Sequence, residues 1–269
     1  DAENESVSKT LEYAYDDWCI ATFAKLIGNE KVAEEFYKRS HSYQNIMDPQ
    51  GFMHGKRNGG FVTPFDPTEV NNFYTEANCW QYSTYVPHDI FFYKSLIGGN
   101  NKMENFLDRL FNSSSKMTGR DQSDITGVIG QYAHGNEPSH HAAYLYNYTM
   151  RYDKTVELVH KIMTELYTSQ PDGLCGNEDC GQMSAWYVLS ALGRYPVCPG
   201  APDRNSTGPD VTPTSLPDGI VVNPAFEMEN DIFRDSLDVS LNPLCGGSKL
   251  WLRVGDGDIR EYDGPVRLF

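Results

Sequence analysis

Three short stretches gather the side chains able to do chemistry: YTEANCWQYSTYVPHD over residues 74–89, HGNEPSHH over 134–141 and GNEDCGQ over 176–182. Each sets a carboxylate just ahead of an apolar, helix-like run. Glu76 precedes the run that carries Trp80, and His88 and Asp89 follow Pro87. Asn136 and Glu137 stand before Pro138, with His140 and His141 after it. Asn177, Glu178 and Asp179 lie between Gly176 and Gly181, which permit backbone geometries that other residues resist. A carboxylate at a helix start has an ordinary use, as a cap or a complement to the helix dipole. Three polar side chains in the last stretch exceed what one cap needs.

The order of His134, Glu137 and the later histidines does not make a zinc helix. That motif needs two histidines four apart, with the glutamate directly after the first. Oxygen donors on a loop suit Ca²⁺ better than Zn²⁺, and Asn136 and Glu137 are the candidates. Two carboxylates across a cleft are the minimum equipment for glycoside hydrolysis, one as acid and one as base or nucleophile. The three acidic loops therefore read as parts of one site, provided that the helices behind them converge.

The elements that must position these loops are mostly helical. Apolar residues from Leu11 to Leu26 recur at helical spacing over 6–27, and Gly28-Asn29 ends the run. Further helices are expected over 30–44, over 77–97 with an interruption at Pro87, over 102–112, from Pro138 through Met150, over 153–168, and from Gln182 to a stop at Gly193. The irregular stretch 45–74 is long enough to be functional. Paired helices joined by polar loops fit part of an α/α toroid, in which loops at one end build a site. Residues 1–199 form this domain. Proline and glycine crowd the stretch 200–215, which reads as a linker. Short alternating runs follow in IVVNPAF, SLDVSL, KLWLRV and PVRLF, and suggest a small β-sandwich module over 216–269 that is cut short.

A net charge of −15 argues against phosphate-reading surfaces and anionic membranes, so neither nucleic acid nor membrane is an expected partner. It is compatible with a neutral sugar and a divalent cation. Aromatics reach 13 % of the chain, enough for a core and for rings in a binding cleft. The six cysteines, at 19, 79, 175, 180, 198 and 245, contain no CxxC pair, and Cys19 and Cys79 read as buried thiols. No signal peptide or membrane-crossing run is visible, and the opening within a helix reads as the start of a fragment.

LEYAYDDWCIA, the glycine-framed GFMHG, TPFDP, YTEANCWQY, VPHD, IGQYAHGNEPSHH and GNEDCGQMSAWYVLSALGRYPVCPG together resemble glycoside hydrolase family 92, the Ca²⁺-dependent exo-acting α-mannosidases. The matches keep the family's order over about residues 8–200. The resemblance implies an (α/α)₆ catalytic domain, an inverting mechanism and terminal α-mannosides as substrate, such as α1,2-linked mannose of N-glycans. It implies Glu76 as general acid and Asp179 as general base, with the division of labour between Glu178 and Asp179 open. It implies a Ca²⁺ that holds the mannose O2 and O3, with Asn136 and Glu137 nearby, and Trp18, Trp80, His88, Asp89 and His140 around the sugar.

Ala77 stands where the family usually has glycine, and Asn177 where some members carry Asp. Family members are longer, and the amino-terminal β-sandwich that packs on their toroid has no counterpart here. Residues 216–269 weakly resemble the small carboxyl-terminal sandwich of some β-hexosaminidases, through FRDSLDVSL and YDGPVRL. The family implies a periplasmic or cell-surface location. The four N-x-S/T sequons, at Asn4, Asn112, Asn147 and Asn205, would matter only in a eukaryotic secretory path. Two other readings are a carbohydrate-binding or inactive fragment of such an enzyme, and an α/α-toroid glycosidase for another sugar.

Overall fold

The structure is a computed structural model that describes residues 3–193 and 195–201, and short pieces at 225–227, 237–242, 251–252, 260–262 and 266–268. Its fold is mainly α. Helix α1 (Ser6–Leu26) packs on α2 (Glu30–Arg39) as a hairpin turned at Gly28-Asn29, and the Asn29 side chain accepts from the Val32 amide at 3.4 Å. Helices α3 (Cys79–Tyr82), α4 (Ile90–Ile97), α5 (Asn100–Asn112), α6 (Tyr152–Glu165) and α7 (Gln182–Ala191) follow, and Gly193 sits at φ +68° beyond the last.

Three expected helices differ from the structure. The second ends at Arg39 and gives way to a 3₁₀ turn over Ser42–Ile46. The helix expected over 77–97 is two short ones, α3 and α4, separated by 83–89. Pro87 has no amide to give a continuous helix, and Asp89 serves as the N-cap residue of α4. The helix expected from Pro138 is two 3₁₀ segments, Glu137–Ser139 and Ala142–Thr149. Every residue of the second is buried, and His140 and His141 between them spend their ring nitrogens on the carbonyls of His134 (2.9 Å) and Thr84 (2.7 Å). Tertiary contacts on all sides outweigh helix preference here.

The core is rich in tyrosine. Tyr43, Tyr74, Tyr93, Tyr144 and Tyr146 are fully buried. Their hydroxyls find Asp89 (2.7 Å), the Met53 carbonyl (2.8 Å), the Ser83 carbonyl (2.6 Å), Ser190 (2.6 Å) and Asp108 (2.8 Å). A buried phenol needs such a partner, so these bonds fix how the helices meet. Cys79 is buried as expected, whereas Cys19 is only half-buried. Among the described residues no helix is long and apolar enough to cross a membrane. The linker at 202–215 lies outside the described residues, as does most of 216–269. Within the latter, strand 237–242 pairs antiparallel with 225–227 and 266–268, and 251–252 pairs with 260–261.

Candidate active site

Glu76 closes the loop before α3 but does not cap it. Asn78 and Gln81 form a reciprocal capping box there, so the cap does not use the Glu76 carboxyl. Its backbone sits at φ +50°, and Asp179 and Cys180 adopt +44° and +59°. Non-glycine residues held there cost about 1–3 kcal/mol each and cluster at functional sites.

The three acidic loops meet. Asn136 donates from Nδ2 to the Glu76 carbonyl at 3.2 Å, and the Glu137 carboxyl lies close enough to that of Asp179 for the Asp179 charge to disfavour its own. Asn177 donates to Asp124 at 3.3 Å, which brings in a carboxylate from the loop at 121–127. Two glycines let the second and third loops touch backbone to backbone, since a Cβ on Gly176 would lie 2.7 Å from both Cα and O of Gly135. Partial loss of hydration, then the charges of Asp124 and Asp179, hold Glu76 above the ordinary carboxylate range against the opposing Asn136 amide. Burial first, then Asp179 and Glu76, do the same for Glu137.

Glu178 has a different task. Its two oxygens accept from the amide (3.0 Å) and hydroxyl (2.8 Å) of Ser184 in the first turn of α7. It satisfies an amide that the helix itself cannot, and leaves Asp179 to face Glu137.

A neutral aromatic network supports these loops from beneath. Tyr167 donates to the Met183 carbonyl (3.1 Å), so its oxygen accepts from His134 Nε2 (2.6 Å), and His134 Nδ1 accepts from Tyr132 (2.6 Å). Burial pushes the His134 pKa down to about 2 and that of His140 to about 4, so neither ring is charged near neutral pH. His140 donates to the His134 carbonyl, and Trp186 donates to the His140 carbonyl at 3.0 Å. His140 is thus a buried support, 1 % exposed, rather than a sugar-lining side chain. Trp80 also differs from expectation. Its ring packs in the core against Phe52 (4.7 Å) and Phe106 (5.2 Å), with the Arg109 guanidinium 5.0 Å over it.

Trp18, His88 and Asp89 assemble elsewhere, on the α1 side. Tyr15, Trp18 and His88 cluster with ring centroids 5.9–6.4 Å apart, making an aromatic platform. His88 Nε2 donates to the Ser40 carbonyl at 2.9 Å, its Nδ1 has no partner among the described residues, and burial lowers its pKa to about 4. Asp89 accepts from Tyr43, and burial raises its carboxyl.

Glu12 and Tyr85, unremarked in the sequence reading, link the two groups. Tyr85 stands edge-on to Tyr15 at 6.3 Å. Glu12 meets the hydroxyls of Tyr82 (3.3 Å) and Tyr85 and feels the charges of Asp16 and Glu137. Glu12, Tyr15, Asp16 and Cys19 share one face of α1 at spacings of three and four, and that spacing was the available signal.

Among the described residues no Lys, Arg or His pairs with Glu12, Asp16, Glu76, Asp124, Glu137 or Asp179. Nor does any set of three or more His, Cys, Asp or Glu side chains there form a ready metal cage. An uncompensated acidic surface with neighbouring amides and carbonyls fits a hard cation held by one or two carboxylates and completed by carbonyl and water oxygens.

The profile described as the glycosyl hydrolase family 92 catalytic domain matches residues 1–215. The chain belongs to glycosyl hydrolase family 92. Among solved structures, this family 92 chain is similar to the GH92 α-mannosidase BT3965 of Bacteroides thetaiotaomicron, at 44 % identity and a TM-score of 0.66. That match covers 74 % of the chain and 26 % of BT3965. The same enzyme in complex with mannoimidazole matches 96 % of the chain and 30 % of its own length, at 35 % identity and a TM-score of 0.69. The inverting GH92 mannosidase BT2199 of the same organism matches at 40 % identity and a TM-score of 0.63, over 74 % of the chain and 28 % of its own. A curated relative from Arthroderma benhamiae, an uncharacterized secreted glycosidase, is 29 % identical over 71 % of the chain and 26 % of its own length. The chain therefore spans about a quarter of the length of these relatives.

Proposed function

We propose that this chain carries the acid–base loops of a secreted, exo-acting α-mannosidase that hydrolyses terminal α-mannosides with inversion, within an (α/α)₆ toroid. The observation that carries this reading is the junction of Glu76, Glu137, Asp179 and Asp124 from separate loops, in a chain whose solved relatives are described as mannosidases. Glu76 acts as general acid. Its raised proton affinity keeps a proton available for the leaving oxygen. Asp179 acts as general base on a water, because Glu178 is committed to Ser184. Inversion needs room for that water between base and anomeric carbon, at a carboxyl separation of about 6.5–9.5 Å. Tyr15, Trp18 and His88 offer ring faces for sugar C–H stacking.

Asn136 and Glu137 would hold a Ca²⁺, whose chemistry is to bind vicinal sugar hydroxyls and neutralise the surrounding carboxylates. Location outside the cytoplasm rests on the description of the fungal relative. The short span of the chain against its relatives favours a second reading of the chain alone, as a piece that binds sugar without turnover.

The deciding experiment measures mannose release from α-mannobiosides by the full-length protein, in Ca²⁺ and then in EDTA, beside Glu76→Gln. Release that needs Ca²⁺ and is lost in the variant is expected. Release indifferent to both refutes the mechanism. Sugar binding by the chain without release, with turnover by the full-length protein, assigns the second reading to the chain.

A further inference from the structure

The segment after α7 returns to α1. Tyr15 donates its hydroxyl hydrogen to the Pro199 carbonyl, and Cys198, one residue earlier, is 3 % exposed. Cys19 lies one helical turn beyond Tyr15 on the same face of α1. Both thiols are close enough to this one hydroxyl to perturb it electrostatically. Cys198 also feels the charge of Cys19 directly, so the two thiols are neighbours across this hydroxyl. The other described cysteines are engaged or placed differently. Cys79 contacts Ser83 and the Met53 carbonyl in the core, Cys175 sits against Gly127, and Cys180 is exposed.

We propose that Cys19 and Cys198 form a disulfide that fastens the segment after α7 to α1 beside the Tyr15 platform. The half-buried Cys19 sulfur attacks a small-molecule disulfide such as oxidised glutathione, forming a mixed disulfide and releasing one glutathione thiolate. Cys198 sulfur then displaces the second glutathione. The protein loses two protons and two electrons, and one oxidised glutathione becomes two reduced ones. The bond closes a loop of about 180 residues, and long loops are where such a link most restricts the unfolded chain. An oxidising compartment maintains it, in keeping with the secreted relative. The pairing does not depend on the mannosidase reading.

The test equilibrates the purified full chain with oxidised glutathione, blocks free thiols with iodoacetamide, and maps the unreduced digest by mass spectrometry. A peptide pair joined through Cys19 and Cys198 is expected. Both residues recovered alkylated, or either joined to another cysteine, overturns the proposal. In parallel, a non-thiol reductant should lower the melting temperature of the oxidised protein by about 5 °C or more, and leave Cys19→Ser and Cys198→Ser unmoved. An equal fall in the variants also overturns it. None of these readouts uses glycoside hydrolysis, so they stand whatever the outcome of the mannoside assay.

Discussion

Gly176→Ala is the sharpest probe of how the two acid-bearing loops are held together. A methyl at Gly176 would sit 2.7 Å from Cα and O of Gly135, where ordinary contact begins at 3.4 Å. The loops must part by ~0.7 Å, and the obstacle is backbone that has no rotamer to change. Overpacking of this kind costs about 1–3 kcal/mol, a fall in melting temperature of about 3–10 °C for a domain of this size. The same parting moves Glu137 against Asp179, and a displacement near 1 Å at reacting groups costs about 10- to 100-fold in kcat. The assay pairs thermal melting with steady-state mannoside hydrolysis by the full-length protein. Gly60→Ala serves as control, since its nearest neighbour, the Arg57 carbonyl, lies 4.0 Å away. Unchanged melting and turnover in Gly176→Ala would refute the claim that glycine contact sets the loop spacing.

Three further outcomes follow from the site. Glu178→Gln keeps an acceptor for the Ser184 amide and should retain turnover within a few-fold, whereas Asp179→Asn should lose at least about 100-fold; equal losses would return the base role to Glu178. Asp124→Asn removes one of the charges that raise Glu76, so the alkaline limb of the kcat/KM profile should move to lower pH, and an unmoved limb would argue against Glu76 as the titrating acid. Burial, and to a lesser degree Asp16 and Glu137, raise Glu12. The native state therefore binds its proton more tightly than the unfolded chain, and the associated stability is present below the ordinary carboxylate pKa and lost as pH rises through the raised value. Melting curves should then show Glu12→Gln gaining on the parent protein between pH 4 and pH 7, and a gain that shrinks over that range would contradict the sign.

Much of the helical framework was legible because α5 and α6 carry their own apolar period and α1 and α7 have stop signals at Gly28 and Gly193. The face α1 buries, with Leu11, Ala14, Ala21 and Ala24, leaves Phe23 and Leu26 exposed, so its apolar residues alone do not mark its packing side. The segment 137–149 was misread. Its proline and alanines favour a helix, but its histidines bond to distant carbonyls and its tyrosines are buried all round. No local pattern announces those partners. The acidic loops were visible as clusters, yet Glu178 and Asp179 look alike in sequence. Ser184 separates them, by taking both oxygens of one. The family resemblance implies Trp80 and His140 as sugar contacts, while packing sends both rings inward. Glu12 drew no attention because one carboxylate on a helix is unremarkable until Tyr82 and Tyr85 are set against it.

By itself the sequence determined the family, the mainly helical build and the identity of the acidic loops, because motif order and helical period are properties of neighbouring residues. Only the tertiary structure decided which carboxylates meet, which is spent on a helix end, and which two cysteines come to lie beside Tyr15. Those outcomes depend on contacts between residues tens to nearly two hundred positions apart, such as Asn136 with Glu76 and Tyr15 with Pro199. Such contacts are fixed by packing a tyrosine-rich core in which the hydroxyls of Tyr43, Tyr74, Tyr93, Tyr144 and Tyr146 each find a partner.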